Sequence, residues 1–145
     1  MARSIEILLV EDNPADVAFT REALDDARVL NRLHVVEDGA DALRFLRREP
    51  PFADVPAPDL MLLDLNLPRV DGHEVLRRIK SDPGLTHLPV IMLTNSIMRA
   101  DVEAAYRSFV NCYIVKPVDR RQFLDAIRNL KRFWVDLVRL PTKDA

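Results

Sequence analysis

At 145 residues, 48% hydrophobic and 30% charged, the chain is sized for one domain with a sizeable core beneath a charged surface. Twenty-one basic against twenty-three acidic residues leave a formal net charge of −2, which argues against a strongly basic nucleic-acid platform, and no apolar run approaches the roughly 20 residues of a membrane span. The lone Cys112 cannot form an internal disulfide, and the run Ile5 to Val10 behind Met1-Ala2-Arg3-Ser4 is too short for a secretory signal, so the expectation is a soluble cytoplasmic protein with no nucleic-acid or membrane partner.

Ile5-Glu6-Ile7-Leu8-Leu9-Val10 is nearly all apolar and reads as a strand buried on both faces. Pro14 suits the first turn of a helix with Asn13 as its N-cap, and Val17, Ala18 and Leu24 give that helix an apolar side. Leu33-His34-Val35-Val36 reads as a second strand, broken by Asp38-Gly39, after which Ala42, Leu43, Phe45 and Leu46 fill a second helix. Pro50, Pro51, Pro56 and Pro58 exclude a helix between Glu49 and Pro58, which is a loop within the domain. Leu60 to Leu63 is the third strand and ends at Asp64; Gly72 to Lys80 is a helix with Val75, Leu76 and Ile79 inward, ended by Pro83-Gly84. Val90 to Leu93 is the fourth strand and ends at Thr94; Asp101 to Phe109 is a helix; Cys112 to Val115 is the fifth strand and ends at Lys116-Pro117. Asp119 caps a last helix in which Phe123, Ile127 and Leu130 recur at helical spacing. Five strand–helix units of this length imply a parallel sheet with right-handed crossovers.

Four of the five strands end in chemically active groups: Glu11-Asp12, Asp64, Thr94 and Lys116. In an open parallel sheet ligands bind beyond the carboxyl ends of the strands, so residues far apart in sequence are expected to meet in one cleft. Three carboxylates there repel one another. Lys116 returns one positive charge to their three negative ones, and a bound Mg²⁺ would bring the sum to zero. A carboxylate also serves as a nucleophile towards phosphorus, while a metal, a lysine and a hydroxyl stabilise the transferring phosphoryl group. The expected cycle is formation of an acyl phosphate on Asp64, then hydrolysis.

Glu11-Asp12, the segment Asp64-Leu65-Asn66-Leu67-Pro68-Arg69-Val70-Asp71-Gly72, Thr94 and Lys116-Pro117 together resemble the receiver domain of two-component response regulators over residues 5–130. The resemblance implies a flavodoxin-like, doubly wound fold: a five-stranded parallel sheet flanked by five helices. It implies Asp64 as phosphoacceptor, and Glu11 and Asp12 as the acidic pair, with Asp12 favoured as the direct Mg²⁺ ligand. It further implies a metal-binding backbone carbonyl at Asn66, a phosphoryl-capturing hydroxyl at Thr94, the site lysine at Lys116 and a cis peptide before Pro117. Mn²⁺ or Ca²⁺ would substitute for Mg²⁺. Tyr113 matches the family's aromatic switch, which with Thr94 couples phosphorylation to the face made by helix four, strand five and helix five. The phosphodonor would be a sensor histidine kinase, and the chain would be no enzyme beyond its own phosphorylation and slow dephosphorylation.

The proline-bearing loop, Asn111-Cys112-Tyr113, and the tail Phe133-Trp134-Val135-Asp136-Leu137-Val138-Arg139-Leu140-Pro141 more closely resemble single-domain regulators paired with bacterial phytochrome histidine kinases. That implies a bacteriophytochrome as partner and a homodimer using Tyr113, Phe123, Ile127, Trp134, Leu137 and Leu140. The expected organisation is a receiver over residues 1–131 and an interfacial extension over 132–145, whose apolar side chains must fold back or meet a partner.

Other residues read as structural. His34, His73 and His87 lack metal-ligand spacing; Met61 and Met92 belong to the core, and Cys112 to a buried strand position; Asp71 suits a turn or helix cap; Arg77-Arg78 suits a solvated face. Three other functions fit the residues less well. A haloacid-dehalogenase-type phosphohydrolase needs a second aspartate two residues beyond the nucleophile, where this chain has Asn66. A pseudo-receiver would lack a site residue, and none is missing. A DNA-binding regulator needs a further domain that the sequence does not present.

Overall fold

The apolar runs at 5–10 and 60–63 form the centre of a five-stranded parallel sheet in the computed structural model, which describes residues 4–26, 30–116, 121, 125 and 126. The strands are β1 (Ile5–Val10), β2 (Asn31–Val36), β3 (Leu60–Leu63), β4 (Val90–Thr94) and β5 (Cys112–Val115), in the order β2-β1-β3-β4-β5. Between them run α1 (Pro14–Asp26), α2 (Gly39–Arg47), α3 (Gly72–Ser81) and α4 (Arg99–Arg107). This is the flavodoxin-like fold expected from the sequence. Of the fifth helix, Arg121, Asp125 and Ala126 are helical; Asp119, Phe123, Ile127 and Leu130 lie outside the described residues, as do Pro117 and the extension 132–145 with Trp134, Leu137 and Leu140.

Strand periodicity sorts the core into two layers. Leu8, Val10, Met61, Leu63, Val90 and Met92 face α2, α3 and α4, meeting Ala42, Phe45, Val75, Leu76, Ile79 and Ala105. Ile7, Leu9, Leu60, Leu62, Ile91, Leu93 and Ile114 face the opposite side, with Ala23 and Leu24 of α1 and helical Ala126. Both faces of the central strands are covered, which explains their unbroken apolar runs.

Three boundaries differ from expectation for physical reasons. β2 begins at Asn31 rather than Leu33, because Ile5 and Glu6 of β1 pair with Asn31 and Arg32, and an edge strand tolerates polar side chains on its free side. α4 begins at Arg99 rather than Asp101, because the Met98 carbonyl accepts the Asp101 and Val102 N–H groups. It closes at Arg107 because Phe109 adopts φ 66° and Val110 N–H turns back to the Ala105 carbonyl. In α1 the inner face is Thr20, Ala23 and Leu24, with Val17 half-buried, whereas Ala18 is exposed. One residue turns a helix by 100°, so Ala18 leaves the stripe that Val17, Thr20 and Leu24 share. Asn13 caps α1 as expected, its Oδ1 accepting from Ala15 N–H at 2.9 Å, and Asp71 caps α3 through Glu74 N–H at 3.0 Å.

The remaining structural assignments hold with one adjustment. Met61 and Met92 are fully buried, but Cys112 is only half-buried against the α1-side layer. Arg77 and Arg78 both pair with Glu74 on the outer face of α3. His34 sits 2.7 Å from Glu6 Oε1 and tilts against Phe45, while His87 is exposed.

Gly39 opens α2 where a Cβ would lie 1.8 Å from the Val70 carbonyl oxygen. Gly39→Ala is expected to destabilise by about 2 kcal/mol or more, because the roughly 1 kcal/mol gained in helix propensity does not offset a backbone displacement. At Gly84 the nearest atom is the Asp82 carboxylate at 3.4 Å, and Gly84→Ala should stay within about 0.5 kcal/mol of wild type. Urea unfolding of the two variants checks this; equal midpoints would contradict it.

Candidate functional site

Strand register assembles the site. Val10 pairs with Leu63, so the next residues, Glu11 and Asp64, leave the sheet side by side. The ladder continues through them, with Asp64 N–H donating to the Val10 carbonyl at 3.1 Å and Glu11 N–H to the Val36 carbonyl at 3.0 Å. Thr94 pairs with Val115, and Lys116 N–H then donates to the Thr94 carbonyl at 2.6 Å. β1 and β3 flank the point where strand order reverses, which is where such sheets open a crevice.

Alternation directs the charges to one side. Leu63 and Val10 face α2 and α3, so Asp64 and Glu11 turn towards α1; Ile114 faces α1, and Lys116, two residues on, does the same. The Lys116 ammonium donates to Glu11 Oε1 at 2.6 Å, Asp16 Oδ2 at 2.8 Å and Asp64 Oδ2 at 3.3 Å. Asp64 Oδ1 accepts Asn66 N–H at 3.2 Å, and Glu11 Oε2 accepts Asn13 N–H at 3.3 Å. Glu11 and Asp64 are buried, while Asp12 is exposed. Burial drives Glu11 up to about 7, a rise that the Lys116 hydrogen bond opposes and the Asp64 charge reinforces. Desolvation lowers Lys116, but the hydrogen bonds it donates to Asp16 and Glu11, together with the Asp64 charge, outweigh that and hold it above its ordinary value.

A second network adjoins the first. Thr94 is wholly buried, and its Oγ1 accepts Ser96 N–H at 3.2 Å. Tyr113, half-buried in the α4-side layer, donates its hydroxyl to the Ser96 carbonyl at 3.1 Å. Burial raises the Tyr113 phenol above its ordinary value.

Glu11, Asp12 and Asp64 each offer a carboxylate oxygen, and these atoms all lie within 4.8 Å of one another. An all-oxygen set with one member open to water fits a hard divalent cation that keeps part of its hydration. Both oxygens of Glu11 already accept hydrogen bonds, from Lys116 and Asn13, and so do both of Asp64, from Lys116 and Asn66, which makes the exposed Asp12 the best-placed direct ligand.

The structure thus brings together Glu11, Asp12, Asp64, Lys116 and the Asn66 backbone, with Thr94 on the adjoining strand end and Tyr113 one network further. Asp16 was not anticipated. It is an acid in the first turn of a helix, where it reads as a macrodipole residue, and only the tertiary contact with Lys116 reveals it. With Asp16 the acids number four against one lysine, so a divalent cation leaves a residual negative charge rather than the zero expected from sequence.

Residues 7–128 match the family described as the response regulator receiver domain. The response regulator Rcp1 of Synechocystis sp. is 40% identical over 135 residues, 93% of this chain and 92% of that protein. Its Mn²⁺-bound crystal structure aligns with a TM-score of 0.78 at 39% identity, over 90% of this chain and 94% of that one. The crystal structure of the phosphorylated cyanobacterial phytochrome response regulator RcpA aligns with a TM-score of 0.81 at 42% identity, over 97% of this chain and 100% of that one. The bacteriophytochrome response regulator RtBRR aligns with a TM-score of 0.79 at 44% identity, over 88% of this chain and 78% of that one.

The Glu11 shift has a consequence for stability in metal-free buffer. Its folded-state value lies above the ordinary 4.5, at about 7, so between those values the folded protein binds more protons than the unfolded one. Stability therefore falls as pH rises through that window. Melting temperatures in chelator at about pH 5 and about pH 7.5 should show a larger drop for wild type than for Glu11→Gln. Equal drops would place the titration elsewhere.

Proposed function

The chain belongs to the response regulator receiver family, and from that premise we propose that it works as a single-domain phosphoreceiver, taking a phosphoryl group from a sensor histidine kinase onto Asp64. The observation that carries this reading is the buried Asp64 carboxylate held between Lys116 and its acidic neighbours at the strand-order reversal. An Asp64 oxygen attacks phosphorus, the donor's bond to phosphorus breaks, and an acyl phosphate forms. Asn66 N–H and the Lys116 ammonium hold the carboxylate in place. Lys116 and the Thr94 hydroxyl then stabilise the phosphoryl oxygens. Asp12 and Asp64, supported by Glu11, would hold the divalent cation, which neutralises charge on the phosphoryl oxygens when bound. Mg²⁺ is the expected ion, with Mn²⁺ or Ca²⁺ as substitutes; the Mn²⁺-bound form of Rcp1 supports that ligand chemistry. Asn66 cannot supply the acid–base carboxyl of a phosphohydrolase, which leaves a slow, self-limited cycle suited to a switch.

The kinase is a bacteriophytochrome in this reading, supported by the likeness to RcpA and RtBRR. The receiver spans residues 1–131 and acts in the cytoplasm. Among the described residues no helix is long and apolar enough to cross a membrane. The extension 132–145 and the face around α4, β5 and the fifth helix would form a homodimer, with Tyr113, Phe123, Ile127, Trp134, Leu137 and Leu140 at the interface. Ile97 and Met98 just before α4, Tyr106 within it and Phe109 just after it are large exposed apolar side chains, which supports an interface there.

Incubation with acetyl phosphate and Mg²⁺ should give one phosphoryl adduct by intact mass, absent from Asp64→Asn and absent when the metal is chelated. A persistent adduct in Asp64→Asn would move the acceptor elsewhere. No adduct in wild type under any condition would favour a pseudo-receiver that binds partners without phosphorylation. Replacing Trp134 and Leu137 together by polar residues should shift the light-scattering mass from dimer to monomer, and an unchanged mass would remove the extension from the interface.

A further inference from the structure

Three polar groups of one residue are engaged in the loop between β4 and α4. Ser96 N–H donates to Thr94 Oγ1, its carbonyl accepts the Tyr113 hydroxyl, and its own hydroxyl donates to Asp101 Oδ2 at 2.5 Å while accepting Met98 N–H at 3.2 Å. The other Asp101 oxygen, Oδ1, lies 3.1 Å from His73 Nε2. Asp101 is in the first turn of α4, where the helix N-terminus favours a carboxylate, and its partners Ser96 and His73 hold it below its ordinary value.

His73 follows Gly72, the residue that anchors α3 to the Asp64 loop. Gly72 N–H donates to the Leu65 carbonyl at 2.8 Å, and a Cβ at Gly72 would lie 2.4 Å from the Asp64 carbonyl oxygen. The His73–Asp101 contact therefore bridges the start of α3, seated on Asp64, and the start of α4, reached from Thr94 through Ser96.

We propose that His73 and Asp101 form a positioning pair for Thr94, fixing the Ser96 loop relative to Asp64 so that the Thr94 hydroxyl is held ready for the phosphoryl group. The inference rests on the reading that Asp64 accepts that group and Thr94 binds it. A hydroxyl has one donor and two acceptor positions. With one acceptor position of Thr94 taken by Ser96 N–H, the rotor is confined, and it stays confined only while Ser96 stays in place. Asp101 holds Ser96, and His73 holds Asp101 against α3. Among the described residues neither His73 nor Asp101 makes a hydrogen bond or ion pair with Glu11, Asp12, Asp16 or Asp64, so the pair acts through position alone.

The test uses the full chain, acetyl phosphate and Mg²⁺, with adduct formation followed by intact mass. His73→Gln and Asp101→Asn should each slow labelling of Asp64 about three- to tenfold, with Mg²⁺ affinity by calorimetry within about twofold of wild type. A merely structural role would not reproduce the decisive readout, which is coupling. In a Ser96→Ala background the His73→Gln penalty should largely vanish, because the route through Ser96 is already cut. His73→Lys, which puts an ammonium donor opposite Asp101, should recover part of the rate lost in His73→Gln. Wild-type labelling rates in both His73→Gln and Asp101→Asn would overturn the proposal, as would an undiminished His73→Gln penalty in the Ser96→Ala background. Failure of the parent reading looks different: wild type itself goes unlabelled, or Asp64→Asn is still labelled.

Discussion

A single lysine makes it possible for several acids to share one end of the sheet. Like charges held within 4.8 Å, as Glu11, Asp12 and Asp64 are, repel by about 3 kcal/mol per pair at an effective dielectric constant near 20. Lys116 meets Glu11, Asp16 and Asp64 at 2.6 to 3.3 Å, so each of its attractions, about 5 to 6 kcal/mol on the same scale, exceeds any single one of those repulsions. The lysine balances the cluster without saturating it. Glu11, the most buried acid among the described residues, is pushed towards neutrality by its burial first and by the Asp64 charge second. A divalent cation beside Glu11 would favour its ionised form, so cation binding and the ionisation of Glu11 are linked.

The fold is what lets the lysine reach. β4 separates β5 from β3, so two inter-strand spacings, roughly 10 Å of sheet, lie between the lysine's strand and that of Asp64. A long unbranched side chain spans that gap where a short donor would not. Thr94 ends the strand in between, which puts it next to the lysine's path and accounts for its complete burial. The parallel order therefore dictates the residue types: acids on the two strands beside the reversal point, a short hydroxyl on the next, and a long cation on the one after.

Much of this was legible in the sequence, because strand ends are local signals. Each apolar run stops at the residue that carries chemistry, and parallel register brings those stops to one level; hence Glu11, Asp64, Thr94 and Lys116 were all anticipated. What was not legible depends on how helices settle against the sheet. Asp16 reaches Lys116 only because α1 packs on the Leu9 and Leu62 face, and the stripe that fixes its rotation is Thr20, Ala23 and Leu24 rather than one containing Ala18. Ser96, Asp101 and His73 belong to one loop and two helices with no periodic signal between them. The start of β2 was missed because pairing to β1 recruits Asn31 and Arg32 despite their polarity.

The two faces of the sheet carry different work, and Thr94 lies at their boundary. The charged cluster is on the α1 side, whereas Tyr113, Ser96, Asp101 and His73 lie with α3 and α4. A phosphoryl group on Asp64 would add negative charge where acids already outnumber the lysine, so its stabilisation must draw on donors the cluster has not used. The Thr94 hydroxyl is the donor at hand. Any change in its orientation alters its bond with Ser96 N–H. Ser96 is fixed through its N–H, its hydroxyl and its carbonyl at once, so it cannot yield one contact and keep the rest. Such a node favours two discrete arrangements over a graded one, and a ligand shifts their balance only by the difference in its contacts with each. Ile97 and Met98 follow Ser96 directly and are exposed. A rearrangement begun at a buried hydroxyl therefore needs to travel one residue along the chain to reach apolar side chains that a partner can read.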